Sequence, residues 1–469
     1  MTPYEIVRER YSFPFELHNS QSVEVNKLCS DWRVGYYWMP GCGKTAGSTH
    51  QAMYAKIAHG VGQWVIVMPP ILLDQWALWL RKVTDMQTGK PPSVTIYAGT
   101  PQQRQKLDFK SDFTLMSYGI MKQDFPRIHD AYAGKKVGLI CDEAHAVKNH
   151  ESDTHKAVAL FSEERCTMLL TGTPINKPGD AYAYVKLLTP GVYRNHRQFE
   201  RIHVAERDAY EKVTQWENLD LLKSNLYLTS SRLLLRDVRK DMVEPLYTTV
   251  SYSLDVQHMK LYRRIAEEKL VEFENGHEID AISAGALRSA LQQIIVNWGE
   301  FAEDPSKEPA ALRVIEEVLD EIGGRKLVVA AHFRRTNAYL TAALKKYGAV
   351  AIYGDVSPKD KQAALSRFIN SPDCRVIVLQ PSSAGFGVDG LQHVCSDMVV
   401  VEAPTVPAPF EQVVARLDRT GQNEVVHVRV AVALGTVQVK MFRDLLANDA
   451  LANTVQGGYK DLKDSIYGT

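Results

Sequence analysis

The sequence predicts an α/β fold with two parallel sheets, one in each half of the chain. Three observations predict it. Short β-branched runs alternate with longer helical patterns in both halves. A Gly-Cys-Gly-Lys-Thr run at 41–45 follows a strand near the start, and Arg416 and Arg419 follow a strand-rich stretch near the end. Apolar strands separated by helical stretches are the pattern of a parallel sheet covered on both faces.

In the first half, Val34–Trp38, Gln63–Met68, Ser93–Tyr97, Phe113–Ser117, Val137–Cys141 and Thr167–Leu170 read as buried strands. In the second, Lys326–Ala331, Val350–Tyr353, Arg375–Leu379, Met398–Val401 and Val425–Val430 repeat the plan, so a second sheet is expected to start near 326. Between them, roughly 190–320 lacks strand alternation over most of its length. Glu206–Leu222, Val256–Phe273 and Ile279–Asn297 read there as amphipathic helices. The expected organisation is a first domain over 1–235 with a helical protrusion at 190–232. A second domain over 236–469 carries a protrusion at 250–322 and a C-terminal helix.

The 469 residues suffice for two or three domains. Lys plus Arg and Asp plus Glu each number 55, so the formal net charge is zero. Nucleic-acid binding through a global positive field is excluded, and any such contact must come from a local stripe. The six cysteines form no Cys-x-x-Cys pair and no zinc spacing, which points to reduced thiols. No apolar run reaches membrane-span length. The expectation is a cytoplasmic protein that makes no membrane contact.

Gly41, Cys42, Gly43, Lys44 and Thr45 have the chemistry of a phosphate loop. Small residues let backbone N–H groups converge on phosphate, a Lys reaches the β/γ oxygens, and a hydroxyl can bind Mg²⁺. A helix beginning here would point its N-terminal dipole at the phosphates. The first Gly of the longer motif is missing, because Trp38 stands six residues before Lys44. Asp142 and Glu143 end an apolar strand, where sites of α/β proteins lie. Asp142 is expected to hold Mg²⁺ and Glu143 to orient and deprotonate a water. The turn Thr171–Pro174 is expected to sense the γ-phosphate and to bond to Asp142 or His145. Gln21 offers an amide that can pair with an adenine edge.

Arg416 and Arg419 share one helical face if the segment is helical, and their guanidinium groups match phosphate oxygens. The Gly-rich loop Ser382–Leu391 permits close backbone approach to a phosphate chain, with Gly387 and Asp389 as candidate nucleotide contacts.

Together these residues resemble the Swi/Snf-type ATPases of helicase superfamily two, over about 10–440. The likeness rests on Val67–Leu73 with Gln75-Trp76, on Asp142-Glu143-Ala144-His145 (a DEAH box) followed by Val147–Asn149 and Ser152, and on Leu169–Asn176. It continues through Leu234-Leu235-Arg236, Tyr353-Gly354-Asp355 with Phe368, Ala384–Val388 and Gln412–Gln422. The resemblance implies two RecA-like domains in tandem and an ATP-dependent motor that tracks double-stranded DNA. It implies adenine contact at Gln21, phosphate and Mg²⁺ contact at Lys44 and Thr45, Mg²⁺ and water roles at Asp142 and Glu143, and transition-state roles at Arg416 and Arg419. Four places depart from the pattern. Tyr37 and Trp38 replace acidic residues before the phosphate loop, and Asp237 stands for a second Arg. Asp418 stands for a His, and Thr405-Val406-Pro407 lacks a Trp-Asn pair.

The expected function is therefore a DNA-stimulated ATPase using ATP and Mg²⁺, acting on double-stranded or branched DNA and on proteins bound to it. It looks like a minimal bacterial or viral member, nucleoid-associated, for which a monomer suffices because both halves of the site lie in one chain. Two rivals remain open: a strand-separating helicase on forks or RNA, and a nucleotide-gated binding module with little turnover.

Overall fold

The computed structural model describes residues 1–208, 211, 213–238, 244–274, 281–301, 308–381, 388–402, 407–419, 421–439 and 441–442. The chain divides into two compact units, Met1–Met242 and Val243–Ala450.

The first unit is built on a seven-stranded sheet. Its strands are β1 (Arg33–Tyr36), β2 (Gln63–Met68), β3 (Val94–Ile96), β4 (Phe113–Ser117), β5 (Val137–Asp142), β6 (Thr167–Leu170) and β7 (Ser230–Ser231). They lie in the order β7-β1-β6-β5-β2-β4-β3, every neighbouring pair parallel. Val65, Ile66 and Val67 of β2 are fully buried, as are Leu139 and Ile140 of β5. Successive residues of one strand enter separate apolar clusters: Ile66 and Met68 pack in one, Val65 and Val67 in the other. A strand must be apolar at every position to be buried on both faces, which is why these runs do not alternate. Each fully buried Val, Leu or Ile contributes about 1.5–3 kcal/mol. The helices that matter to the site are α1 (Asn19–Leu28), α2 (Lys44–His59) and α3 (Leu73–Leu80).

The second unit is built on a six-stranded sheet. Its strands are β8 (Leu246–Tyr252), β9 (Leu327–Ala330), β10 (Val350–Ile352), β11 (Val376–Leu379), β12 (Asp397–Val400) and β13 (His427–Ala433). The order is β8-β13-β12-β9-β11-β10, again parallel throughout. Two parallel sheets, each with its own core, give the tandem RecA-like architecture that the sequence predicts.

The segment between the main runs of strands differs from expectation in two ways. Glu206–Leu222 is not one helix. Val204–Arg207 and Val213–Trp216 pair as an antiparallel hairpin, and only Leu219–Leu226 is helical. Val213, Thr214 and Trp216 favour extended backbone. Asn218, at φ 54°, breaks the chain before the helix begins. The second sheet also starts well before 326. Strand β8 pairs with β13 along its whole length, from Leu246↔His427 to Tyr252↔Ala433. It is an edge strand, partly exposed along its length, and its Thr248, Thr249 and Ser251 hide the apolar signal. The helices read at Val256–Phe273 and Ile279–Asn297 are present as Val256–Glu274 and Ala281–Val296. The C-terminal helix read over about 436–469 is present at 437–439 and 441–442, and the rest of that range lies outside the described residues.

Candidate nucleotide site

Strand register brings three of the predicted motifs to one edge of the first sheet. Tyr36, at the end of β1, pairs with Leu170 at the end of β6, and Leu170 pairs with Asp142 at the end of β5. The phosphate loop, the Thr171 turn and the Asp142–Glu143 pair therefore leave the sheet along one row, at its C-terminal edge. That edge is where parallel sheets place their ligands.

The loop itself is shaped by Gly43. Its φ is 79°, and a Cβ there would sit 2.5 Å from Gln21 Nε2. Left-handed backbone and a close neighbour both demand glycine. Helix α2 starts at the next residue, so the free N–H groups of its first turn face out of the loop. Lys44 Nζ donates to the carbonyl of Trp38, 2.9 Å away. Gln21 is buried on α1. Its Nε2 donates to Cys42 O (2.7 Å), and its Oε1 accepts from His18 N (2.7 Å). Both ends of the amide expected to read adenine are thus engaged within the chain, and Gln21 holds the phosphate loop.

Asp142 is 7% exposed, and its carboxylate is fixed at both oxygens. Oδ1 accepts the amide of Glu143 (2.9 Å), and Oδ2 accepts the indole N–H of Trp76 on α3 (2.7 Å). Burial pushes its pKa up to about 6. The Glu143 charge adds to that rise, while Trp76 and the Lys44 ammonium oppose it. Glu143 has φ 51° and ψ 51°, a conformation costly for a residue with a side chain. Such strain is retained at functional positions. It turns Glu143 out of the strand line, with Oε2 3.3 Å from His145 Nδ1.

The Thr171 turn is placed as expected but bonded differently. Thr171 N donates to Tyr36 O (3.1 Å), and Thr171 Oγ1 accepts from Thr173 N (3.2 Å). Among the described residues, neither threonine hydroxyl bonds to Asp142 or His145. The tight turn uses the Thr171 hydroxyl for its own closure instead.

In the second unit, Arg419 Nη1 forms a salt bridge with Asp389 Oδ1 at 2.9 Å. Arg416 Nη1 donates to Val388 O at 3.4 Å. The two arginines therefore converge on the end of the Gly-rich loop, and Asp389, expected to meet a nucleotide, meets Arg419. Gly387, the rest of 382–387, Thr405, Val406 and Thr420 lie outside the described residues.

A family model, SNF2-related domain, matches residues 33–298, more than half of the chain. The chain belongs to the SNF2-related domain family. It is 22% identical over 406 residues to an uncharacterized ATP-dependent helicase of Mycoplasma pneumoniae, covering 84% of this chain and 38% of that protein. It is 23% identical over 405 residues to the human DNA annealing helicase and endonuclease ZRANB3, covering 85% of this chain and 36% of that protein. The chain thus spans less than two fifths of the length of these curated relatives. A solved Sulfolobus solfataricus SWI2/SNF2 ATPase core in complex with dsDNA aligns over 97% of both chains, with 20% identity and a TM-score of 0.43.

Two departures from the family pattern occupy defined local settings. Asp237 accepts the amide of Leu234 (2.7 Å) and so closes the turn into Leu235–Val238. Asp418 is half-buried, and burial together with the charge of Glu244 pushes its pKa up to about 6. Thr45 and Asp142 supply only oxygen donors, the chemistry Mg²⁺ selects. Among the described residues, no group of three or more His, Cys, Asp or Glu could hold a metal. One or two protein oxygens fit an ion that takes its remaining ligands from phosphates and water. In the sequence, Trp76 stands out only through the family resemblance. Its bond to Asp142 across 66 residues of chain makes it a further member of the site.

Proposed function

We propose that this chain is a DNA-stimulated ATPase that converts ATP hydrolysis into movement along double-stranded DNA, remodelling DNA structures or protein–DNA complexes. The observation that carries the reading is the row at one sheet edge: phosphate loop, Thr171 turn, and a strained, fixed Asp142–Glu143 pair. Loop amides and the Lys44 ammonium bind the β- and γ-phosphates. To do so, Lys44 leaves the Trp38 carbonyl. Glu143 orients a water for in-line attack on the γ-phosphorus and takes its proton. Arg416 and Arg419 offset charge on the transferring phosphoryl group. Thr45 and Asp142 would hold Mg²⁺, which supplies charge neutralisation at the phosphate oxygens when bound.

Membership of the SNF2-related family and a relative named as an annealing helicase support DNA as the polymer. Zero net charge fits contacts made by backbone amides and hydroxyls to phosphates more than by a broad basic field.

The test is third-strand displacement from a triplex, run beside strand separation of a blunt duplex. ATP-dependent release of the third strand with the duplex intact is expected. Robust separation of the blunt duplex favours a strand-separating helicase instead. ATP binding with neither displacement nor turnover identifies a nucleotide-gated binding module.

A further inference from the structure

Trp38 stands where the family pattern has an acidic residue, and the structure gives it a place that an acid could not fill. The side chain is fully buried. Its ring lies under the first turn of α2, where a Cβ on Gly47 would come within 2.9 Å of it, and it meets Tyr36 edge-on at 4.9 Å. The indole N–H donates to Ser231 Oγ at 2.7 Å. Its backbone carbonyl is the group that accepts the Lys44 ammonium. One residue therefore touches the phosphate-binding lysine through its carbonyl and strand β7 through its ring.

Strand β7 is the start of the segment that leaves the first unit. The stem of the phosphate loop is bonded to this segment residue by residue. Tyr37 N donates to Ser231 O (2.9 Å) and Met39 N to Leu233 O (2.9 Å). Cys42 Sγ lies 3.5 Å from the same Leu233 carbonyl. Leu234, Leu235 and Arg236 follow at once, on the way to the second unit, which begins at Val243. A stem clamped to an exit segment transmits displacement, because packed elements shift between discrete arrangements instead of deforming smoothly.

We propose that Trp38 is a positioning residue that passes occupancy of the phosphate loop to the exit segment Ser230–Leu235, through its carbonyl bond to Lys44 and its indole bond to Ser231. The proposal rests on the reading of 41–45 as an ATP phosphate loop. When Lys44 turns to phosphate, the Trp38 carbonyl loses its partner, and the Trp38–Ser231 bond carries the change into β7. An aliphatic or acidic residue at 38 would lack both the ring under Gly47 and the donor for Ser231.

Hydrogen exchange of the whole chain reads this without relying on turnover. The probe is a non-hydrolysable ATP analogue with Mg²⁺, and the variants are Trp38→Phe, Ser231→Ala and the two combined. Phe keeps an aromatic ring at 38 but removes the indole donor together with the outer ring edge, Cη2 and Cζ3, that lies under Gly47. Ser231→Ala removes the acceptor from the other end and keeps the ring untouched. In the wild type, the analogue should alter exchange in both 35–47 and 229–235. In each single variant the response at 35–47 should persist, while that at 229–235 should be lost. The double variant should lose no more than either single one, as partners in one bond do.

An undiminished response at 229–235 in both variants overturns the proposal. So does a wild type in which 35–47 responds and 229–235 does not. A wild type in which neither segment responds overturns the phosphate-loop reading, and this inference with it.

Discussion

Replacing Trp76 by Phe removes one hydrogen atom that matters and leaves most of the packing of α3 in place. The indole N–H donates to Asp142 Oδ2 at 2.7 Å, and Trp76 and Asp142 are 2% and 7% exposed. A hydrogen bond to a charged group contributes about 1.5–3 kcal/mol. If the whole of it serves to hold the carboxylate in its working position, kcat/KM for ATP should fall about 10- to 150-fold, at about 1.4 kcal/mol per factor of ten. A water entering the space left by the indole would restore part of the bond, so the lower end of that range applies. Asp142 retains the Glu143 amide on its other oxygen, which keeps it from swinging free. The assay is steady-state ATP hydrolysis at saturating duplex DNA and Mg²⁺, paired with a thermal melt. The melt separates a lost bond from a lost fold, since each 1 kcal/mol moves Tm by only about 2–4 °C in a domain of this size. A folded Trp76→Phe protein with wild-type kcat/KM refutes the claim that Trp76 positions Asp142.

Arg419→Ala should abolish ATP turnover while leaving nucleotide binding within about threefold, since a group that acts on the transition state lowers kcat and not ground-state affinity; fluorescent-nucleotide titration beside a turnover assay checks it. Gly43→Ala should weaken nucleotide binding severely, because its φ of 79° and the Gln21 amide 2.5 Å from the added Cβ both oppose the change; the same titration reads the loss. Glu402 is fully buried, and burial pushes its pKa up to about 7 from an ordinary carboxyl value. Its native pKa is raised, so the stability it contributes is fully present below about pH 4.5 and is lost as pH rises to about 7, by up to roughly 3 kcal/mol. Denaturant unfolding at pH 5 and pH 7.5 should show that loss in the wild type and much less of it in Glu402→Gln.

The parts of the molecule legible in sequence are those whose physics is local. Strands such as Gln63–Met68 and Val137–Asp142 announce themselves because both faces are buried and no polar residue interrupts them. The turn at 41–45 and the helix after it are legible because Gly43 must be glycine and Lys44 opens a helix. Strand β8 was hidden by its position at a sheet edge, where Thr248, Thr249 and Ser251 are tolerated beside solvent. The hairpin at 204–216 reads as a helix because the spacing of the true helix Leu219–Leu226 continues by chance into it. Contacts that close over long stretches of chain leave no trace in a local pattern. Trp76 on Asp142, Trp38 on Ser231 and Gln21 on the Cys42 carbonyl are all of this kind. The bonding of the Thr171 turn was likewise beyond the sequence, since its hydroxyl had several partners within reach.

The row of motifs at the first sheet's edge is expected to hydrolyse ATP in response to duplex DNA. The most direct measurement is the ATPase rate of the wild type and of Lys44→Ala against duplex DNA, single strands, forks, four-way junctions and RNA. Hydrolysis that duplex or branched DNA stimulates is expected, with its loss in Lys44→Ala with every polymer. Full hydrolysis in Lys44→Ala, or a wild-type rate that no duplex or branched DNA raises, contradicts it.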